Sequence, residues 1–587
     1  MTRYDTTLSP IQRIHIWYAA LLLVSAVFVV RLFYLQVIRH DYYQKAALTV
    51  QLKEYEIPAP RGVIEAYSGN TTVPIVLNEK LYTVYADPVY VKDAQKAADE
   101  LARALGGRAS EYESLLRAED TRYVVLAKKL PKAKSDKVTS LSLKGIGVRE
   151  VPYRTYPQGS LAAQLLGFVN DEGVGKYGVE QALDGVLTGV PGQLKAITDA
   201  AGVPLAANED NVNTEPEAGK RVMLTIDIGM QQQLEDILKA GLKRARSESG
   251  SALVLEAKTG AIKAMANYPT YNPAEFFKVQ NGEDFNNAAV AAPLEIGSIM
   301  KPLTAAAALD LGVVHKNQTY HDPSRYKIGD AVVSNIEEDG GPGTRSVRDI
   351  LQLSLNTGAT WLLMQMGGGE INQQARERWH GYMTDHFQFG KATGVEQGYE
   401  SGGVIPDPNE GFGLDIRYAN TAFGQGMSAT PLQMGAALAS VVNGGTYYKP
   451  HLVEATIDAA GAEQKDNPKV VREKVVSQSV SKTIRDMMQY TIEKNKFVYG
   501  FKQDYPAYSI GGKTGTAEVA RPEGGYYDNV FNGMFMGFVG GNEAQYVIVV
   551  RVNKPKIPGY AGSQAAAPLF VDLTKMLINN FSVTPKS

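Results

Sequence analysis

The 587-residue sequence contains no cysteine, which excludes disulfides, thiolate zinc sites and a cysteine nucleophile. Its seven histidines show no spacing of paired metal ligands, so neither a metal mechanism nor a metal cofactor is expected. A formal net charge of −2 offers no excess of Lys and Arg for phosphate, which argues against nucleic acid as a partner. The glycine-rich residues 173–180 follow no clear strand, so we expect a tight turn there rather than a nucleotide loop.

Long apolar runs are also missing, apart from one near the N-terminus. Residues 14–30 carry no charge and residues 32–37 extend the run past Arg31, giving about 24 residues, where a bilayer core needs ~20. Aromatic residues lie near both ends, and no small-residue cleavage pattern follows. We therefore predict a retained transmembrane helix over 14–38, preceded by a short cytoplasmic tail at 1–13, and not a cleaved signal peptide. Basic residues flank both ends, so charge leaves the orientation open, but the polar remainder indicates a single pass.

The remaining length exceeds what one hydrophobic core usually supports, so two or more domains are expected. Residues 39–219 mix strand and helix patterns without a catalytic grouping, and the polar stretch 206–220 marks a domain junction. In residues 220–587, strand patterns at both ends enclose helices, which predicts an α+β domain with a central antiparallel sheet flanked by helices. The predicted strands are 82–86, 221–227, 251–255, 261–266, 534–539 and 546–552, and the predicted helices are 94–105, 109–116, 230–242 and 566–581. The last four strands are predicted to pair as two hairpins, at 251–266 and 534–552.

The first candidate for chemistry is the Ser-x-x-Lys pattern at Ser298 and Lys301. The pattern occurs three times, and the copies at Ser324 and Ser479 are interpreted as a loop serine and the start of an amphipathic surface helix. Ser298 instead precedes an alanine-rich stretch with strong helix propensity, which places it in the first turn of a buried helix with Lys301 on the same face. A capping serine beside a surface lysine is the simpler alternative, and this motif alone does not exclude it.

The second and third patterns complete the first. Ser354-Leu-Asn356 supplies a hydroxyl suited to relaying a proton and an amide suited to clamping a carbonyl, although a helix-capping serine is an alternative. Lys513-Thr-Gly-Thr516 reads as a strand on which two hydroxyls share a face beside a lysine, a good seat for a carboxylate. The positive charge of Lys513 would help Lys301 to act as a base, since burial and a like charge both favour a neutral amine.

Two details of the third pattern add to this interpretation. Gly515 removes a side chain where a backbone or a ligand must come close, and an exposed strand edge there could accept a peptide as an added strand. Lys258-Thr-Gly260, the other copy of the pattern, is expected to be a hairpin turn. Glu295 is interpreted as structural, because a carboxylate base there would compete with Lys301.

In this order the three motifs resemble those of the class B penicillin-binding proteins, the peptidoglycan D,D-transpeptidases. The likeness extends over nearly the whole chain, with one departure at residues 66–69, where the family usually has Asp-Arg-x-Gly. The other segments that carry it are 31–37, 61–64, 178–180, 423–426, 430–433 and 443–445. The context of Ser298 looks more like the cell-division (FtsI) branch than the elongation branch. No room for a glycosyltransferase domain is expected before residue 220, which favours class B over class A.

The resemblance implies roles for named residues. Ser298 would attack the D-Ala-D-Ala carbonyl of a stem peptide, with Lys301 as base, Ser354 as relay and Asn356 as clamp. Lys513, Thr514, Gly515 and Thr516 would form the carboxylate seat, and the backbone N–H groups of Ser298 and Thr516 the oxyanion hole. Residues 39–219 would be a pedestal or dimerisation-type domain and residues 220–587 the transpeptidase domain, outside the cytoplasmic membrane.

The resemblance also implies partners and alternatives. β-Lactams would inhibit the enzyme, and a SEDS-family glycosyltransferase of the FtsW type, with other divisome membrane proteins, would assemble with it. An elongation-type transpeptidase of the side wall is the first alternative. A membrane-anchored β-lactamase or β-lactam sensor uses the same nucleophile but does not need the anchor and pedestal, and a scaffold with a degenerate site would not need every catalytic residue type.

Overall fold

The computed structural model describes residues 10–43, 52–57, 59–119, 121–197, 212–335, 341–521 and 523–587. The chain divides into two compact units, which are described separately. One comprises Met1–Pro60 with Gly189–Ala218, and the other comprises Arg61–Thr188 with Gly219–Ser587. Of the polar junction predicted at 206–220, residues 206–211 lie outside the described residues.

The first unit contains the apolar helix Pro10–Phe33, which continues as one π-helical turn over Tyr34–Ile38. The stretch Ile14–Ile38 spans 25 residues with a mean hydropathy of 2.3, and none of its side chains is buried. The helix is thus long and apolar enough to cross a bilayer, as predicted. A three-stranded antiparallel sheet, with the second strand in the centre, completes the unit. Its strands are Leu52–Ile57, Gly192–Ile197 and Val212–Thr214.

The second unit contains a seven-stranded mixed sheet. Strand Arg221–Asp227 pairs in parallel with Ile64–Ser68 and antiparallel with Val453–Ile457. The long strand Thr71–Ala86 pairs antiparallel with Ile64–Ser68, Val124–Leu130 and Ile146–Thr155. The seven strands are Ile64–Ser68, Thr71–Ala86, Val124–Leu130, Ile146–Thr155, Arg221–Asp227, Val453–Ile457 and Glu463–Lys465. The strand predicted at 221–227 is therefore present. It does not join the antiparallel sheet described next, because it pairs with Ile64–Ser68 and Val453–Ile457, which lie far from it in the sequence.

A five-stranded antiparallel sheet lies at the centre of the C-terminal part. Its strand order, from one edge to the other, is Ile262–Tyr268, Ser249–Glu256, Ala544–Asn553, Tyr526–Gly540 and Ser509–Ala520. The predicted hairpins at 251–266 and 534–552 are both present, and they meet edge to edge through Ser249–Glu256 and Ala544–Asn553. The sheet is therefore closed by strands from both ends of the domain, as the strand patterns predicted. The last strand, Ser509–Ala520, carries the Lys-Thr-Gly-Thr motif and is called the motif strand below.

Helices cover both faces of this sheet. On one face, Ile228–Ala245 and Ala567–Asn580 bury apolar stripes that include Leu234, Leu238, Leu569 and Leu573. On the other face, the amphipathic helix Gln478–Tyr499 packs beside a group of mainly buried helices. The helices of that group are Lys301–Asp310, Val347–Gln352, Asn356–Met366, Gln373–Gly381, Leu414–Thr421 and Pro431–Val442.

Short elements complete the second unit. Among the described residues, the other strands of this unit form four two-stranded ribbons, and the other α-helices lie mainly in the N-terminal half. The ribbons pair Phe168–Val169 with Gly175–Lys176, Thr319–Asp322 with Gly343–Ser346, Arg325–Ile328 with Ala331–Ser334, and Tyr447–Tyr448 with Val470–Arg472. The helices are Ala94–Leu105, Ala109–Leu116, Lys132–Ser140, Ala163–Leu166, Gly178–Ala182, Asp184–Leu187 and Ala288–Ala291. The turn of the first ribbon lies at residues 171–173, at the start of the stretch where a tight turn was expected. The rest of residues 173–180 contains the strand Gly175–Lys176 and the start of the helix Gly178–Ala182.

Candidate active site

Ser298 lies in a 3-10 turn, Gly297–Met300, that runs directly into the helix Lys301–Asp310. Ile299 and Met300 are fully buried and hold the turn in the core, whereas Ser298 itself is half-buried. Pro302 is tolerated because it lies in the first turn of the helix, where its missing N–H has no partner to lose. Ser298 thus lies one 3-10 turn before the α-helix, and Lys301 is the first α-helical residue.

Lys301 is fully buried, and its ammonium group reaches the loop that follows the helix Val347–Gln352. Its Nζ contacts the carbonyl oxygen of Ser354 and lies 3.2 Å from Ser354 Oγ and 2.8 Å from Asn356 Oδ1. Asn356 Nδ2 donates in turn to the carbonyl oxygen of Ser334, at 3.2 Å. The structure therefore brings the first two motifs together through a buried lysine.

Ser354 has a left-handed backbone conformation, with φ of +61°. It separates the helix Val347–Gln352 from the helix Asn356–Met366 and caps neither. A non-glycine residue in this region is strained, and such strain persists only where the surroundings impose it. Here the conformation turns both the carbonyl and the hydroxyl of Ser354 toward Lys301, which helix capping would not do.

Lys513 approaches the same hydroxyl from the motif strand. Its Nζ lies 2.9 Å from Ser354 Oγ and 3.2 Å from Thr514 Oγ1, and the side chain is almost fully buried. Two buried ammonium groups therefore share one serine hydroxyl, and a like charge so close favours losing a proton from one of them. An amine in its neutral form is what a base needs.

The turn of Ser298 and the motif strand touch through their backbones. A Cβ atom on Gly515 would lie 2.8 Å from the carbonyl oxygen of Ile296, and one on Gly297 would lie 2.6 Å from that of Thr516. The Gly297 N–H donates to the carbonyl oxygen of Gly424 at 3.0 Å, which fixes the turn from its other side. The approach predicted at Gly515 is thus made by backbone, and it places the Ser298 turn against the Thr516 peptide.

The two threonines of the motif strand have different partners. Thr514 Oγ1 lies beside Lys513 Nζ, whereas Thr516 Oγ1 accepts a hydrogen bond from the Gly562 N–H at 3.1 Å. The motif strand is the edge strand of its sheet, so its outer edge has no strand partner within the described residues. Such an edge is available to an added peptide strand.

The other copies of the motifs lie elsewhere. Ser324 occupies a turn and donates its N–H to Asp322, and Lys327 is exposed on the short strand Arg325–Ile328 rather than in a loop. Ser479 is exposed at the start of the helix Gln478–Tyr499, which is amphipathic as expected, with one face packed against the rest of the unit and the other face exposed. Residues 258–260 form the expected turn between two strands.

Asp322 is a residue that sequence reasoning missed. It is fully buried, and its carboxylate accepts hydrogen bonds from Thr357 Oγ1 at 2.7 Å, the Ser324 N–H at 2.8 Å and Asn335 Nδ2 at 3.1 Å. Asn335 Oδ1 accepts from the Thr357 N–H at 3.0 Å. This network fixes the first turn of the helix that begins at Asn356. An aspartate at the end of a short strand carries no sequence signal of such a role.

Glu295, three residues before Ser298, ties the site to the tip of the neighbouring hairpin. Its Oε1 accepts from the Gly426 N–H at 2.8 Å and from the Tyr526 hydroxyl at 2.9 Å, while Oε2 is buried and has no partner in the described part of the chain. Burial raises the pKa of Glu295, and the charge of Glu518 adds to the rise, against the two hydrogen bonds. The contacts agree with the structural interpretation of Glu295.

We expect Glu295→Gln to change how stability depends on pH. Because the folded pKa is raised, the protonated carboxyl favours the folded state below the unfolded pKa of about 4.3, and this contribution is lost as pH rises through the folded pKa. The variant should therefore gain about 1–2 °C in Tm relative to wild type at pH 7, and no gain at pH 4. Thermal unfolding at both values tests this, and an equal Tm difference at the two pH values would contradict it.

Comparison with known proteins is consistent with this geometry. The family model described as "Penicillin binding protein transpeptidase domain" matches residues 250–575, and "Penicillin-binding Protein dimerisation domain" matches residues 56–224. Stage V sporulation protein D of Bacillus subtilis is 30% identical over 523 residues, covering 88% of this chain and 78% of that protein. Peptidoglycan D,D-transpeptidase FtsI of Escherichia coli is 28% identical over 571 residues, covering 96% and 91%.

Solved structures show the same fold. Penicillin Binding Protein 2X from Streptococcus thermophilus superposes with a TM-score of 0.71 at 24% identity, over 90% of this chain and 80% of that one. Penicillin binding protein 3 from Mycobacterium tuberculosis, complexed with aztreonam, gives 0.67 at 24% identity, over 90% and 98%. The α+β fold predicted from the strand patterns is confirmed. The transpeptidase model covers more than half of the sequence, and the chain therefore belongs to the penicillin-binding protein transpeptidase family.

Proposed function

We propose that this protein is a peptidoglycan D,D-transpeptidase that cross-links stem peptides through an acyl-enzyme on Ser298. One observation carries the proposal: the hydroxyl of Ser354 lies between two buried lysines, one on the helix behind Ser298 and one on the edge strand of the sheet. A buried pair of lysines around a serine has little structural benefit, since desolvated like charges cost free energy. It is well suited to moving protons.

In the first half of the reaction, neutral Lys301 takes the proton of Ser298 Oγ as this oxygen attacks the carbonyl carbon of the penultimate D-Ala. The backbone N–H groups of Ser298 and Thr516 stabilise the oxyanion. As the C–N bond breaks, a proton passes through Ser354 to the leaving amine, and D-Ala departs. Lys301 is thereby returned to its neutral form for the second half.

In the second half, the amine of a neighbouring stem peptide attacks the ester carbonyl and gives its proton back through the same groups. Ser298 leaves as the alcohol, and a new amide bond joins the two peptides. Lys513, with Thr514 and Thr516, seats the terminal carboxylate of the donor, and Gly515 permits the close approach. Asn356 exchanges its hydrogen bond to Ser334 for one to a substrate carbonyl.

The proposal extends to the cellular role. We propose that residues 1–13 are a cytoplasmic tail, 14–38 the membrane anchor, 39–219 the pedestal and 220–587 the transpeptidase domain on the extracytoplasmic side. A class B enzyme of the septum would work with a SEDS-family glycosyltransferase of the FtsW type, and the resemblance of the Ser298 context to FtsI supports the division branch. Localisation of a tagged copy to the side wall instead of the septum would favour the elongation branch.

Covalent labelling by a fluorescent penicillin tests the chemistry. Ser298→Ala should abolish labelling, because it removes the hydroxyl of the turn that lies against the Thr516 peptide. Ser324→Ala and Ser479→Ala are matched controls, since each removes the serine of another Ser-x-x-Lys sequence, and both should label as wild type does. Retained labelling in Ser298→Ala would exclude this serine as the nucleophile.

The lifetime of the adduct separates a transpeptidase from a β-lactamase. A transpeptidase should hold the penicilloyl group for minutes or longer, whereas hydrolysis within seconds would contradict the proposal. A scaffold with a degenerate site would show no labelling at all in the wild-type protein.

A further inference from the structure

A cavity of about 510 Å³ lies at one end of the five-stranded sheet, beside the motif strand. Its lining carries three cations and one carboxylate, together with two asparagines. The lining residues are Glu248, Ser249, Val519, Asn532, Arg551, Asn553, Lys554 and Lys556. Glu248 Oε1 pairs with Lys556 Nζ at 2.6 Å on the exposed rim, which leaves two positive charges in excess. The volume is in the range of pockets that bind small molecules or peptide side chains.

Arg551 is the unusual residue of this cavity. Its Nε donates to Asn553 Oδ1 at 2.6 Å and one terminal nitrogen donates to the carbonyl oxygen of Ala292 at 2.8 Å, both neutral acceptors. No carboxylate of a described residue lies within salt-bridge distance of its guanidinium. Burial lowers the pKa of Arg551 to about 10. Arg551 is only partly exposed to solvent. A partly desolvated guanidinium without a counter-ion costs free energy, which an anionic ligand would offset.

The other polar groups of the cavity also have capacity for a ligand. Asn532 Oδ1 accepts from the Lys554 N–H at 3.2 Å, and its Nδ2 donates to no acceptor among the described residues. Lys554 is exposed, has a left-handed φ of +45° and holds its Nζ 5.9 Å from the ring centroid of Tyr527. Cations and amide donors around one space are the complement of an anionic group.

Strand register relates this cavity to the proposed reaction. Gly515 is opposite Met534, which is opposite Arg551, so Arg551 lies two strands from the motif strand on the face of Lys513. At about 4.8 Å per strand, the separation of these backbones is about 10 Å. The asparagines at 532 and 553 lie in the next row, level with Ala517.

The direction of a bound donor follows from the proposed roles. If the terminal carboxylate lies at Lys513 and Thr514 and the scissile carbonyl at Thr516, the preceding residues extend along the motif strand toward Val519. That end of the strand lines the cavity. An extended peptide advances about 3.3 Å per residue, so the second or third donor residue before the scissile bond would lie beside the cavity.

We infer that this cavity is a second anion-binding site, which binds an acidic side group of the donor peptide upstream of its D-Ala-D-Ala end. The inference rests on the proposed function, because the direction of the donor is taken from it. Arg551 would pair with the carboxylate from the floor of the cavity, and Lys554 from its rim. The donor would thus be held at both ends, by Lys513 at its terminus and by Arg551 upstream.

Peptide binding to the full-length protein in detergent tests this inference. The probes are two dye-labelled peptides, Glu-Ala-D-Ala-D-Ala and Gln-Ala-D-Ala-D-Ala, and the readout is fluorescence anisotropy. Wild type should bind the glutamate peptide at least about tenfold more tightly, since a close charge pair contributes this much or more. Arg551→Met should remove the preference, Arg551→Lys should restore part of it, and Lys554→Glu should reduce it.

Controls separate the possible outcomes. Lys482→Met removes an exposed lysine on the helix Gln478–Tyr499 and should keep the wild-type preference. If Arg551→Met does not fold, the Lys554→Glu variant tests the inference in its place, because Lys554 is exposed. Equal affinities of wild type for the two peptides, or the full wild-type preference in a folded Arg551→Met protein, would overturn the inference. An undiminished preference in Lys554→Glu would overturn it as well. Penicillin labelling of Ser298 in the same samples reports on the proposed function independently of that result.

Discussion

Lys301→Met should reduce the rate of acylation by penicillin by about 10²- to 10⁴-fold, the contribution typical of a positioned general base. Methionine has a similar length and is apolar, so it fills the fully buried site without adding a polar group. What disappears is the amine that reaches Ser354 and Asn356. Stopped-flow measurement of the acylation rate, with the unfolding temperature measured in parallel, separates lost chemistry from lost structure.

The matched control for Lys301 is Lys327, the exposed lysine of another Ser-x-x-Lys sequence. Lys327→Met should acylate at the wild-type rate, because its side chain is solvated on a short surface strand. A folded Lys301→Met protein that acylates within tenfold of wild type would exclude Lys301 as the base.

Glu180→Ala should destabilise the protein by about 3–5 kcal/mol, the cost typical of breaking a buried ion pair. Glu180 is fully buried in the N-terminal half, where its Oε2 accepts from Arg61 Nε at 2.8 Å and its Oε1 from Arg154 Nε at 2.7 Å. Removing the carboxylate leaves two guanidinium groups in a desolvated site. Asp184, 2.8 Å from Arg61, offsets part of the loss for one of them.

Denaturant unfolding of the full chain in detergent measures this effect. Glu172, exposed in the preceding turn and hydrogen-bonded to Asn170, is the matched control. Glu172→Ala should change the free energy of unfolding by no more than about 0.5 kcal/mol. Similar losses for the two variants would mean that the network around Glu180 contributes little beyond surface charge.

Local patterns predicted much of the fold because the relevant forces act over short stretches of sequence. The helices Ala94–Leu105 and Ala109–Leu116 have the predicted ends, since apolar spacing and flanking glycine or polar residues define them locally. The two hairpins of the five-stranded sheet were also predicted, because alternating strands joined by short turns pair with each other. The amphipathic stripe of Ile228–Ala245 packs as its spacing indicated.

Contacts between distant segments were harder to predict. The parallel pairing of Arg221–Asp227 with Ile64–Ser68 joins strands over 150 residues apart, and no local pattern encodes it. The strained backbone of Ser354 and the buried carboxylate of Asp322 depend on neighbours that only the folded chain supplies. The order of the motifs indicated that Ser298, Ser354 and Lys513 belong to one site, but not that two ammonium groups would meet at one hydroxyl.

The backbone contact between the turn of Ser298 and the motif strand has a consequence for how this protein can evolve. The distance between the turn and the motif strand is set by peptide groups at Gly297 and Gly515. Exchanging neighbouring side chains therefore alters the shape and charge of the space around Ser298 without moving the turn and the strand apart. Side chains around Ser298 can therefore be exchanged, whereas any side chain at the two glycines would push the turn and the motif strand apart. Sequence change is thus expected in the side chains around the cleft, whereas Gly297 and Gly515 should stay fixed because they set the distance between the turn and the strand.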